Sequence, residues 1–351
     1  MGDGGGGRWL ATPAGMARKG IREDGRRLGE RARRGWEERD RSLGGNELDP
    51  VTDELVARAW ETRLARRPRE IRFDTLARTR AVSVTGPACG ANCAHCGGHY
   101  LRAMLTPREA RRLAGVGSEG DPESPVRSWL VSGGCDQTGQ VPLLEEGDLL
   151  RELGRSGRLN VHAGLVRTRD EARAIARQAT AVSFDFVVDT QTIEDVYGFP
   201  GITGDDFIRS YKLLAAETRV LPHVLIGLWG GRVRGELAAL RELASLGAGG
   251  VVLLVLIPTR GSRFGSVDPP PLSEVARVMA EARLLLPEAP VQLGCMRPKG
   301  RYRAALDVLA VRSGVDRIAV PTPAARREAE ALGLRPVWSS ECCIFPSGEG
   351  C

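Results

Sequence analysis

Lysine is almost missing from this chain. Only Lys19, Lys212 and Lys299 occur among 50 basic side chains, so Schiff-base chemistry has few candidates. Aromatic residues are sparse at 5%, and no run of basic residues is interleaved with them. Acids and bases alternate along the chain. The net charge of +6 therefore reads as the solvated surface of an Arg-rich protein and not as a nucleic-acid groove. An acidic protein partner is still compatible with a local patch. No apolar run reaches membrane-spanning length and no signal-peptide pattern stands out. The expectation is a cytoplasmic protein with neither a membrane nor a nucleic acid as partner. A hydrophobic share of 42% over 351 residues suffices for a sizeable core.

Cysteine, by contrast, is plentiful and clustered. Eight occur: Cys89, Cys93, Cys96, Cys135, Cys295, Cys342, Cys343 and Cys351. In a cytosolic chain this favours metal or redox roles over a disulfide framework. Cys342 and Cys343 are adjacent; their Cα atoms, about 3.8 Å apart, fall below the usual disulfide range. The densest stretch is 89–100, CGANCAHCGGHY, with Cys89, Cys93 and Cys96 in a C-x3-C-x2-C array. Soft thiolates select zinc, copper(I) or iron–sulfur clusters. A structural zinc site normally closes with four ligands, often as two separated pairs. No partner pair stands at that spacing here, so a zinc loop would need His95 or His99 as its fourth ligand. Three cysteines can instead hold three irons of a [4Fe–4S] cluster and leave one iron open to a substrate or second cofactor.

Residues 1–49, rich in Gly, Arg and Glu, read as a flexible leader. An amphipathic helix over 51–66, capped by Thr52 or Asp53, is expected inside an N-terminal helical extension covering 50–80. From there strand and helix patterns alternate. Strands are expected at 81–85, 128–132, 159–162, 181–186, 220–226, 250–257, 291–294 and 317–320. Helices are expected at 107–114, 145–155, 169–177, 205–217, 235–246, 272–286, 301–312 and 323–332. Eight alternations over 81–335 fit an α/β fold of the (βα)8 TIM-type barrel kind, followed by a Cys-rich C-terminal tail at 336–351.

Barrel active sites lie at the C-terminal strand ends, and the unusual residues fall there. After the second of these strands comes Ser132-Gly133-Gly134-Cys135-Asp136, where glycine lets backbone approach a ligand or simply turns tightly. His162, Asp185, His223, Gly227, Pro258, Cys295 and Arg297 end or follow later strands. A lone strand histidine is more often a satisfied core residue than a catalyst, yet all four histidines, His95, His99, His162 and His223, fall on this face. Arg297 reads as a carboxylate contact or as a plain salt bridge. A tail returning over the barrel mouth would bring Cys342 or Cys343 near Cys135 and Cys295, four positions able to build a second cluster.

The triad at the top of the first barrel strand resembles the radical S-adenosylmethionine (SAM) superfamily, in which the open iron of a [4Fe–4S] cluster binds SAM. That resemblance implies reductive cleavage of SAM to a 5′-deoxyadenosyl radical, which removes hydrogen from an unactivated carbon. The family usually has an aromatic residue where His95 stands, and an acid where Cys135 follows Gly133 and Gly134. The resemblance assigns SAM contacts to His95, Gly133, Gly134, Asp136, Asp185, His223, Gly227 and Pro258. It assigns substrate or catalytic roles to His162, Arg297 and Ser340. A full set of eight units is similar to the biotin synthase branch.

Stretches such as SVTGPACGANCAHCGGHYL, VSGGCDQTGQVPL, NVHAGLV, FDFVVDTQTIEDVYG, LPHVLIGL, LGCMRP and ECCIF resemble the proteins of the two-component lipoyl synthase. Such a resemblance implies sulfur insertion at C6 or C8 of an octanoyl chain. The chain is carried on a lysine of a lipoyl-domain or glycine-cleavage H-type protein. A second [4Fe–4S] cluster on Cys135, Cys295, Cys342 and Cys343 would donate the sulfur. A paralogous radical SAM partner and an electron donor such as ferredoxin or flavodoxin are implied as well. Competing expectations are a biotin synthase-like enzyme acting on a small molecule, a non-catalytic iron–sulfur protein and a zinc-dependent barrel hydrolase.

Overall fold

Apolar strand segments each followed by an amphipathic helix leave one economical solution, a parallel sheet whose outer face the helices cover. The structure, a computed structural model, describes residues 48–115 and 126–345. Most of the leader, Cys351 and the end of the tail lie outside the described residues. Helix α1 (Pro50–Arg66) starts on Asp49, whose carboxylate accepts hydrogen bonds from the Val51 and Thr52 amides, with Pro50 in the first turn. The expected caps, Thr52 and Asp53, lie within the helix instead.

The strands are β1 (Glu70–Asp74), β2 (Thr79–Ser83), β3 (Ser128–Ser132), β4 (Arg158–Ala163), β5 (Ala181–Asp185), β6 (Val220–Ile226), β7 (Val251–Val255), β8 (Val291–Leu293), β9 (Arg317–Ala319) and β10 (Arg335–Ser339). The main helices after α1 are α2 (Pro107–Ala114), α3 (Gly147–Ser156), α4 (Arg169–Ala176), α5 (Gly204–Ala215), α6 (Glu236–Ser245), α7 (Leu272–Leu285), α8 (Gly300–Arg312) and α9 (Pro323–Ala331). Thr106 with Glu109 and Thr168 with Glu171 form capping boxes that start α2 and α4.

All pairings are parallel, in the order β10-β1-β9-β8-β7-β6-β5-β4-β3-β2. β1 and β2 stand near opposite ends of that order, yet residues 75–78 alone join them. Such a connection spans at most about 18 Å, so the sheet has to curl until its ends approach. The Thr75 amide extends the β1–β10 ladder by donating to the Ser339 carbonyl, and the Arg78 amide reaches across to the Ser340 carbonyl, both 2.8 Å. The expected parallel α/β barrel fold is present, as a curled sheet. It differs from a closed eight-strand ring in having two further strands, β1 and β10, beyond β9, with no ladder between β10 and β2 among the described residues. β10 contains Pro336 and pairs on one side only, the edge position where proline is tolerated.

The inner face follows from strand alternation. Phe184 on β5 packs outward against Phe207 of α5, with ring centroids 6.2 Å apart. Ala181, Ser183 and Asp185 therefore face the lumen. Ala181 shares a buried cluster with Leu221, Val252 and Ile344, against which Leu254 and Cys342 pack. The tail accordingly enters the ring and does not fold back over its mouth. Arg158, at the start of β4, forms a salt bridge with Glu341 and stacks over the Phe345 ring at 4.5 Å. Arg317 donates to the Phe345 carbonyl at 2.6 Å and pairs with Asp74 through two bonds of 2.5 and 2.9 Å. These partners sit at the beginnings of β4, β5 and β9, so the tail fills the base of the lumen and leaves the opposite end open.

Candidate active site at the strand ends

The cysteine loop leaves β2 and is tied down at both flanks. The amides of Gly90 and Ala91 donate to the Cys135 carbonyl at 2.8 and 3.0 Å, and the Gly134 amide donates to Thr85 Oγ1 at 2.8 Å. On the other side Ala94 donates to Val196, and the Phe264 amide donates to the Ala94 carbonyl. Left-handed Gly97 and Gly98 turn the chain away after Cys96. Interaction between the neighbouring Cys93 and Cys96 thiols pulls Cys96 down and pushes Cys93 up, while the His95 side chain further favours the Cys96 thiolate. The Cys89 thiol points to the Cys135 carbonyl at 3.9 Å. The sulfurs of Cys89, Cys93 and Cys96 do not all lie within 4.8 Å of one another.

His95 packs edge-on against Tyr197 at 5.6 Å, and its Nδ1 is buried without a partner. Tyr197, which sequence reasoning did not single out, stacks in turn on Phe199. Tyr100 hydrogen-bonds Thr259 at 2.7 Å, fixing the loop after β7 to the end of the cysteine loop beside Pro258. A cavity of about 740 Å³ opens beside Cys89, Gly134 and Cys135, with Leu143, Leu165 and Val166 among its walls.

Several residues expected to touch a ligand are committed elsewhere. Asp136 Oδ1 accepts from the Thr138 amide and hydroxyl and from the Gln140 amide, at 2.8, 2.8 and 3.0 Å. Burial pushes this carboxyl up, but those bonds outweigh it and hold it below the ordinary range. Asp136 is thus a turn-forming residue of its own loop. Arg297 is 1% exposed and spends its donors on Asp307, Gly294, Ala319 and Val320. It is the salt bridge of the two readings offered for it, with four of its five N–H donors held by the protein itself. Ser340 directly follows β10, and its carbonyl accepts from the Arg78 amide ahead of β2. Gly227 has φ +77° and donates to the buried Glu236 carboxylate at 2.8 Å. A Cβ there would meet Pro270 at 2.7 Å, so packing alone accounts for this glycine. Gly133 and Gly134 lie directly under the cysteine loop.

His162, Asp185 and His223 are brought together in the lumen. His162 Nε2 lies 3.4 Å from Asp185 Oδ1 and His223 Nδ1 3.9 Å from the same oxygen. The two imidazole rings are 5.4 Å apart. Burial opposes the Asp185 charge, but His162 and then His223 outweigh it and lower the carboxyl to about 2. Burial, followed by His162, lowers His223 to about 3. One layer below, Ser183 donates to Asn160, and Asn160 Nδ2 meets the Cys342 sulfur at 3.5 Å.

The remaining thiols divide. Burial raises Cys135 to about 12, and its charged neighbours are Cys89, Asp185, Asp136 and Cys96. Cys295 senses Cys342, and Cys343 senses both Cys342 and Cys295. The Cys135 carbonyl is bonded to the cysteine loop, and the Cys342 sulfur meets Asn160 lower in the lumen. Among the described residues, no helix is long and apolar enough to cross a membrane.

No family model and no curated protein matches this chain. Solved structures do. A methylornithine synthase (PylB) superposes with a TM-score of 0.58 at 14% identity, covering 88% of this chain and 97% of its own. The FeFe-hydrogenase maturase HydG from Carboxydothermus hydrogenoformans superposes with a TM-score of 0.59 at 14% identity, covering 86% and 75%. At these identities the fold is shared.

Proposed function

We propose that this chain is a radical SAM enzyme, and more narrowly one of the two radical SAM proteins of a two-component lipoyl synthase. The observation that carries the reading is the convergence of Cys89, Cys93 and Cys96 on one anchored loop at the C-terminal end of β2. Three soft donors on one loop fit a [4Fe–4S] cluster with one open iron. The likeness in fold to a methylornithine synthase and a hydrogenase maturase supports the same reading. With SAM bound, such a cluster supplies the reducing electron and the hydrogen-abstracting radical.

The chain's own residues then hold and shield. The hydrogen bonds from Gly90, Ala91 and Gly134 fix the loop against the β3 end. Tyr197, packed on His95 and stacked on Phe199, places aromatic surface beside the cysteine loop. Cys135, Cys295, Cys342 and Cys343 are the donors for a second cluster, the sulfur source in this reading. The substrate is an octanoyl chain on a lysine of a lipoyl-domain or glycine-cleavage H-type protein. A paralogous radical SAM protein and a ferredoxin or flavodoxin complete the system.

The test is iron and sulfide content of anaerobically reconstituted full chain beside the Cys89/Cys93/Cys96 triple alanine variant, with 5′-deoxyadenosine formation measured in both. About eight irons falling to about four, with loss of SAM cleavage, is expected for two [4Fe–4S] clusters. About four falling to none removes the sulfur source and with it the lipoyl reading. Colourless, zinc-loaded protein overturns the radical reading altogether. Consumption of dethiobiotin in place of octanoylated lipoyl-domain protein turns the assignment to a biotin synthase-like enzyme.

A further inference from the structure

The His162, Asp185 and His223 constellation is more than the two-residue contact that a structural histidine needs. β4, β5 and β6 are adjacent and parallel, with His162 opposite Ser183 and Asp185 opposite His223 in register. Three neighbouring strands therefore aim one ligand each at the same point of the lumen. One nitrogen from each imidazole and one Asp185 oxygen all lie within 4.8 Å of one another.

We propose that these three side chains bind a single divalent transition-metal ion, separate from the cysteine loop. Ligands bonded at about 2.0–2.2 Å stand roughly 3–3.6 Å apart across a tetrahedral or octahedral site. The distances of 3.4 and 3.9 Å to Asp185 Oδ1 are within a small side-chain adjustment of that. A second and independent observation is the state of His223. Its side chain is 12% exposed, and neither ring nitrogen has a hydrogen-bond partner. Buried polar atoms left unpaired are costly and uncommon. An ion bonded to one nitrogen removes that cost at the lumen side. A His–Asp ion pair accounts for His162 but not for His223.

The donor set narrows the ion. Two imidazoles and one carboxylate, without thiol, suit zinc(II) or iron(II) better than copper(I) on the soft side or magnesium and calcium on the hard side. Three protein ligands leave further positions free. The Asp185 side chain is 39% exposed toward the lumen, so those positions are reachable. An ion there takes up water or a substrate oxygen or nitrogen and orients it. Asn160 and Ser183, bonded to each other at 3.0 Å, form a polar floor one layer below. The metal thus takes the three residues that the family resemblance gives to SAM and substrate. Its site is complete whether or not the cysteine loop carries a cluster.

The experiment is a cobalt(II) titration of the full-length chain carrying Cys89, Cys93, Cys96, Cys295, Cys342 and Cys343 as alanine, followed by X-ray absorption at the cobalt edge. The expected result is one equivalent bound in a first shell of nitrogen and oxygen with imidazole scattering. His223→Gln and Asp185→Asn, made in the same background, are expected to weaken binding at least tenfold at unchanged melting temperature. A first shell dominated by sulfur, no binding, or equal affinity in a folded His223→Gln variant overturns the proposal. Should both variants fail to fold, the first shell of the parent protein decides alone. Radical activity is not read in this experiment, so its outcome is separate from that of the cluster assignment.

Discussion

Gly134→Ala probes why a glycine follows β3. A Cβ built on Gly134 stands 2.1 Å from the Ala88 carbonyl oxygen and 2.6 Å from Cys89 Cα, both backbone atoms. To restore even 3.0 Å, the closest approach that real side chains make, the Ala88 carbonyl must retreat by about 0.9 Å. Cys89 follows it, because it is the next residue. Metal–ligand distances tolerate roughly ±0.2 Å, so such a movement removes Cys89 from any cluster geometry. The overpacking itself costs about 1–3 kcal/mol, less than a domain's stability. The expected variant is folded, melts somewhat earlier and loses the iron that the Cys89/Cys93/Cys96 triple alanine also loses. Gly133→Ala is the control. Its Cβ meets the Val84 Cγ2 side-chain tip at 2.8 Å, an atom that rotation can move, so iron content is expected to be largely kept. Iron and sulfide per chain, with thermal melting alongside, measure both. Full iron in Gly134→Ala with loss of SAM cleavage alone would refute the reasoning, since it would make this glycine a cofactor contact and not a packing requirement of the loop.

Three further outcomes are expected. Arg297→Met leaves the buried Asp307 carboxylate without its partner and costs roughly 3–5 kcal/mol in denaturant unfolding; unaltered stability together with weaker SAM binding would restore Arg297 as a ligand contact. Ile344→Ala removes the tail's apolar anchor among Ala181, Leu221 and Val252 and costs roughly 2–5 kcal/mol; a silent result would mean that the tail does not fill the lumen base in solution. Glu236 is raised above 4.5 by burial, despite its bonds to backbone amides. A raised carboxyl contributes stability that is full below 4.5 and is lost as pH rises through the folded value. Unfolding of Glu236→Gln followed against pH is expected to lack that decline, and an identical pH profile would contradict it.

The eight inner strands were legible because runs such as VVLLV and AVSFD are apolar enough to be buried on both faces. β1 and β10 were not. EIRFD carries three charges and RPVWS a proline, and both become strands only because they extend the curled sheet beyond β9. The short helical turn at Thr190–Thr192 escaped for a related reason, since its start depends on Asp189 accepting from the Thr192 amide. In the site, the spacing of the cysteine loop is local and could be read directly. Asp136 and Arg297 could not be placed by residue type alone. A carboxylate or guanidinium at a strand end suits a ligand equally well, and only the partners Thr138, Gln140 and Asp307 decide its use. Register, which no local pattern encodes, unites His162, Asp185 and His223.

The two strands that sequence missed bear on how the site is built. An eight-stranded barrel has an interior that side chains can just fill, and lumen width grows with strand number. β1 and β10 extend the curled sheet beyond β9, and the base of its lumen is filled by the tail. Ile344 provides apolar volume, Glu341 pairs with Arg158, and the Phe345 carbonyl takes a further donor of Arg317, which is also held by Asp74. The same insertion carries Cys342 and Cys343 up to Asn160 and toward Cys295. Closing the base and delivering two thiols are thus one structural event. A change that loosens Ile344 should disturb Cys342 and Cys343 before it reaches the cysteine loop, which is anchored independently to Cys135, Val196 and Phe264.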